Sequence, residues 1–168
     1  MTPEMGGQYP SDHKAMHQDG GRDEVSVAAL AGETTELTTH KAVGAAHHSN
    51  LAEIEFIIDG AGSEITTGEK GHLRVPFACT ITSTTILADQ SGSIVVDIWK
   101  DTYANFPPAD GDSITASAPP TLSSAQKNQD ATLTGWTKSI AAGDILAYNV
   151  DSVTTVTRVV VTLQVTKS

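Results

Sequence analysis

The sequence predicts an all-β protein: a single antiparallel β-sandwich, jelly-roll-like, preceded by an extended N-terminal arm. Three observations carry this. Residues 51–168 contain short runs rich in Val, Ile and Thr, separated by clusters of Gly, Asp and Pro. β-Branched side chains are stiff at χ1 and suit the half-buried, pleated surface of a strand. No segment repeats its apolar residues at a convincing helical period. Residues 1–50, in contrast, are Gly-rich, hold all but one of the six histidines and contain no long apolar periodic run. Such a segment cannot bury a core alone, so it is either disordered or ordered by contact with neighbours.

The elements follow in order. In the arm, Val25-Ser26-Val27-Ala28-Ala29-Leu30 suits a short strand or one turn of helix. Glu53-Ile54-Glu55-Phe56-Ile57-Ile58 reads as the first strand and stops at Asp59-Gly60-Ala61-Gly62. His72 to Phe77 reads as a second, placed at an edge or a bulge because Pro76 lacks a ladder donor. Thr80 to Ala88 and Ser93 to Trp99 read as a third and fourth, joined as a hairpin through Asp89-Gln90-Ser91-Gly92. Asp101 to Asp130, with Pro107-Pro108, Asp110-Gly111-Asp112 and Pro119-Pro120, reads as a long loop that is functional or covers a sheet. Ile145 to Val150 is a further strand. The last is the clearest: Val159, Val161, Leu163 and Val165 share one face, and Arg158, Thr162 and Gln164 the other. Two sheets would bury their apolar faces against each other.

The composition excludes several classes. A net charge of −10 repels phosphate backbones and anionic membrane surfaces, so neither nucleic-acid binding nor membrane insertion is expected. Cys79 is the only cysteine, which rules out an internal disulfide. Its apolar run, Phe77 to Ile81, predicts a buried, inert thiol. No apolar stretch reaches membrane-spanning length. Met1 to Gly7 has neither a basic nor an apolar leader region, so no signal peptide is expected, and the protein is expected to be made in a cytoplasm. No nucleophile elbow, Walker loop, dinucleotide fingerprint or protease signature occurs. No catalytic residue is assigned, and a non-enzymatic role is expected.

Two stretches carry a resemblance. His13-Lys14-Ala15-Met16-His17-Gln18-Asp19-Gly20-Gly21-Arg22-Asp23-Glu24-Val25 has the pattern H-x-x-x-H-x-x-G-G-x-D-acidic-apolar. It resembles a module of bacteriophage tail fibre and related virion proteins, and Val43 to Ser49, with His47-His48, resembles the His-bearing element that follows it. From about Ile58 to Thr166 the chain resembles a β-sandwich of phage structural proteins. That likeness is carried by Ala88 to Lys100, Ser113 to Ala116 and Leu133 to Trp136.

The resemblance implies a homotrimer in a virion assembled in the host cytoplasm. Its partners would be copies of itself, other virion proteins of the tail or capsid, and a host-surface glycan. Residues 1–50 would attach the protein and drive oligomerisation, and residues 51–168 would be displayed outward. The expected function is a fibre or spike. A capsid decoration protein and a carbohydrate-binding module are the alternatives. His13, His17, Gly20, Gly21, Asp23 and His47 are the candidate axis residues. No cofactor is required. Hydrogen bonding within or between chains is the first reading of His13 and His17, and a metal ion on the threefold axis the second. Trp99, Tyr103 and Phe106 are the candidate glycan contacts; core or interface packing is the plainer reading of the aromatics, Trp136 included. Asp110 and Asp112 read as solvated turn carboxylates, with Ca²⁺ binding as the alternative.

Overall fold

A computed structural model gives the architecture and describes residues 50–168. The arm residues His13, His17, Gly20, Gly21, Asp23 and His47 lie outside the described residues. Residues 50–168 form an antiparallel all-β fold of seven strands. These are β1 (Leu51–Asp59), β2 (Gly68–Arg74), β3 (Cys79–Asp101), β4 (Thr121–Asp130), β5 (Ser139–Ile140), β6 (Ile145–Thr154) and β7 (Arg158–Lys167).

One long strand organises the rest. β3 runs for 23 residues. Cys79 to Ala88 pair with β7, which pairs with β1. Ser93 to Asp101 pair with β6, which pairs with β2. β4 follows the other edge of β3 across its middle, from Thr84↔Asp130 to Val95↔Thr121, with register shifts around Gly92. The sheet is thereby curled into two facing layers, a β-sandwich-like arrangement.

Two local expectations are corrected. Asp89 to Gly92 do not turn a hairpin, because β3 passes straight through them and bends from one layer to the other. The corner is held from outside. Thr155 Oγ1 donates to Ser91 O at 3.1 Å, and Arg158 N donates to Asp89 Oδ1 at 3.1 Å. Within the expected loop, Thr121 to Asp130 form β4. Its sequence, TLSSAQKNQD, has no apolar alternation, and it is held by its ladder to β3 rather than by a buried face. β2 lies at a sheet edge, as Pro76 suggested, but closes at Arg74, before the proline.

The core lies between the layers. Val159, Val161, Leu163 and Val165 of β7 are all buried, on the face read from the sequence. They meet Ile54 and Ile58 of β1, Ile81, Ile86, Ile94, Val96 and Ile98 of β3, and Leu146 and Val150 of β6. Phe56 of β1 stacks on Tyr148 of β6, with centroids 4.2 Å apart and planes 4° from parallel, linking the two layers. The Tyr148 hydroxyl is buried without a hydrogen-bond partner among the described residues, and burial pushes its pKa upward. Cys79 is buried as expected. Burial first, and the Asp144 charge second, push its thiol up, so it stays protonated at neutral pH. Among the described residues no helix is long and apolar enough to cross a membrane.

Candidate functional site

β2, β3 and the turn before β6 end together and frame an open cleft of about 710 Å³. It is lined by Arg74, Thr102, Tyr103, Ala104 and Ala141 to Asp144. Each side is set by local chemistry. Asp101 ends β3, and its Oδ1 accepts from Thr102 N at 2.6 Å and from Asn105 Nδ2 at 3.0 Å. These bonds, the Thr102 amide first, hold the Asp101 carboxyl below the ordinary range. They also close the 3-10 turn Tyr103–Asn105, which turns Tyr103 outward at 78% exposure.

Opposite, β2 is tied to the turn before β6. Val75 N donates to Asp144 O at 2.9 Å, and Gly143 N donates to Val75 O at 2.7 Å. Asp144 closes its own turn by accepting from Ala141 N at 2.9 Å and pairs with Lys100 at 3.2 Å. Gly143 has φ +98°, a left-handed backbone that favours glycine. Arg74 closes β2 and has no ion-pair or hydrogen-bond partner for its side chain among the described residues.

The three expected glycan contacts separate. Tyr103 lines the cleft. Phe106, 51% exposed, packs edge-to-face on His72, with centroids 4.8 Å apart. Trp99 is half-buried, its Nε1 donating to Asp97 Oδ2 at 2.7 Å. Trp136 is buried, with Nε1 donating to Ala118 O at 2.8 Å. Asp110 and Asp112 form a 3-10 turn in which Asp112 Oδ2 accepts from Ala109 N at 2.9 Å. Among the described residues no group of three or more His, Cys, Asp or Glu is gathered as for a metal.

Sequence reasoning missed Asp97. It is buried and accepts from Ile98 N at 2.7 Å, Trp99 Nε1, Ser113 Oγ at 2.8 Å and Thr115 Oγ1. It thereby fastens the segment that carries Tyr103 and Phe106 back onto β3. An Asp in mid-strand gives little sign of this, because it reads as the polar member of an alternating pair. Arg74 was also missed, since one cation carries no pattern, whereas Ala142-Gly143-Asp144 read as a turn and is one.

A second surface lies on the outer face of β1, β7 and β3. Ile57 is opposite Val160, and Val160 is opposite Leu87, so the three form one row. Ile57 is 61% exposed and Leu87 46%. Glu53 and Glu55 flank the row on β1, and Lys127 of β4 stands opposite Leu87 at its other end.

No family model matches the chain, and no curated protein does either.

Proposed function

We propose that the protein is a non-enzymatic structural protein of a bacteriophage virion. In this reading it is a homotrimeric fibre or spike, anchored by residues 1–50 and presenting its sandwich for contact with a host surface. The observation that carries it is the Ile57–Val160–Leu87 row. Contiguous exposed apolar side chains on the outer face of a sheet support contact with another chain. Acidic side chains at one end and a lysine at the other let the lysine end of one copy meet the acidic end of the next, a head-to-tail contact that closes into a ring when the rotation between copies allows it. The one carboxylate of the cleft lining, Asp144, is buried and tied to Ala141 N and Lys100, which favours binding over acid–base chemistry there. Tyr103, standing free of the core, supports surface contact.

The test is the native mass of the full-length protein beside that of an Ile57→Glu/Leu87→Glu variant. The expected result is a trimer for the native chain and a folded monomer for the variant. A native chain that stays monomeric at every concentration would overturn the reading. Repeating the measurement with EDTA separates the two readings of His13 and His17: a trimer lost only with EDTA assigns them a metal.

One observation favours capsid decoration as a second reading. The chain enters the sandwich at Asn50, whose carbonyl accepts from Lys167 N at 2.7 Å, and Ser168 N donates to Ala78 O at 3.0 Å. This is the end of the domain where β2 closes and the cleft opens. A chain that joins the domain at this end suits a domain seated close to a shell. Copy number in purified particles separates the readings, since a decoration protein is abundant and a fibre scarce.

A further inference from the structure

We infer that the cleft at the end of β2 takes a sugar bearing a carboxylate, a uronic acid of a surface polysaccharide. Arg74 reads the carboxylate and Tyr103 supports the ring. The inference rests on the host-contact reading above and names its ligand class.

What the cleft leaves open decides the chemistry. A site for neutral sugars needs free acceptors for hydroxyl donors, and carboxylates usually supply them. Here the one carboxylate of the lining, Asp144, is buried, and its Oδ2 accepts from Ala141 N and pairs with Lys100, so it presents little acceptor surface to the cleft. The lining side chains that have no partner among the described residues and reach the cleft are a guanidinium and a phenol ring. A guanidinium offers a planar fork of N–H donors that matches a carboxylate in two parallel bonds, a contact at hydrogen-bond range that acts against the screened, longer-range repulsion of a chain with net charge −10. An exposed tyrosine offers a flat apolar face with a polar tip, suited to a ring whose own faces are apolar and whose rim is polar.

The turn beside Arg74 preserves this opening. A Cβ on Gly143 would lie 3.4 Å from Arg74 Nη2, and the φ of +98° already disfavours a side chain. The guanidinium therefore borders bare backbone on one side and the cleft on the other. The cleft volume, about 710 Å³, falls among those of small-ligand sites, roughly 300–1,000 Å³. His72 and Phe106 are packed on each other and are not needed for this contact.

The test is calorimetric titration of the full-length protein with oligomers of galacturonate and of glucuronate, each beside its carboxyl-reduced, neutral counterpart. For at least one pair the acidic oligomer is expected to bind about tenfold or more tighter, the discrimination one charge-assisted fork supplies. Arg74→Gln should abolish that preference and leave weak binding of both oligomers. Tyr103→Ala should weaken both together. Equal affinity for the acidic and neutral oligomers would overturn the inference and leave host contact through a glycan standing. So would a preference that survives Arg74→Gln, because another group would then read the carboxylate. Binding of neither kind would overturn it together with the glycan contact, while the trimer is judged separately by native mass.

Discussion

The two ends of the sandwich use their polar side chains in opposite ways. At the end where β3 bends, they are directed at the chain's own backbone. Asp89 accepts from Thr157 N at 3.3 Å, Arg158 N at 3.1 Å and the Thr157 hydroxyl. Ser91 Oγ donates to Ser124 O at 3.2 Å, and the Gln90 amide donates to Thr155 O. Thr155 has φ +68°, a left-handed conformation uncommon for a β-branched residue, and it is held there by bonds to Glu64 and Ser91. At the cleft end the carboxylates are engaged likewise, but Arg74 and Tyr103 are left facing outward. Residues that close a turn are accounted for by the fold, and Arg74 and Tyr103 close none. The bend end is held by its own bonds, and the cleft end is the one at which the proposed ligand would be held.

The largest change expected is one that loosens the loop at the cleft end from beneath. Asp97→Ala leaves Trp99 Nε1, Ser113 Oγ, Thr115 Oγ1 and Ile98 N without their acceptor. Unpaired donors in a part-buried site cost about 1–3 kcal/mol each, less where water enters. The net loss should be about 3 kcal/mol in chemical denaturation, with Trp99 fluorescence shifted. A loss below about 1 kcal/mol would show that the loop is held by other contacts.

Gly92→Ala probes the bend itself. Its new Cβ would meet Thr155 Oγ1 at 2.5 Å, Thr154 O at 2.6 Å and Val156 Cγ2 at 2.7 Å. Overpacking of this kind costs about 1–3 kcal/mol, and the midpoint of denaturation should fall accordingly. An unchanged midpoint would mean that the corner is looser than its hydrogen bonds imply.

A smaller effect, confined to acid, is expected from Asp89. The Thr157 hydroxyl, then the Arg158 and Thr157 amides, depress its carboxyl in the folded state. A depressed carboxyl contributes stability above its unfolded pKa, about 3.9, and loses it as pH falls through the folded value. Asp89→Asn should therefore flatten the acid limb of the stability–pH curve below about pH 4. Unfolding followed from pH 7 down to pH 2 checks this, and an acid limb of unaltered slope would contradict it.

How far the sequence disclosed all this differs element by element. β7 was readable because Val159, Val161, Leu163 and Val165 alternate with mostly polar residues, and one face of it is buried. β3 read as two strands because Asp89, Gln90, Ser91 and Gly92 are turn-forming residues. Their hydrogen bonds run to Thr155, Thr157, Arg158 and Ser124, contacts that no local pattern encodes. β4 was hidden because backbone pairing to β3 asks little of its side chains. At the site, Tyr103 and Phe106 stood out as aromatics in a Pro-rich loop, and both are exposed. Trp99 looked the same in sequence, and only the placement of Asp97 shows what holds its indole.

The most direct test of the contrast between the ends is thermal unfolding of the Arg74→Gln/Tyr103→Ala double variant. Neither side chain is engaged by the described fold, so surface substitutions of this kind should change stability by no more than about 0.5 kcal/mol each, and the Tm should hold within a few degrees. A fall as large as that of Gly92→Ala would contradict the account, because Arg74 and Tyr103 would then be part of the architecture and not open to a partner.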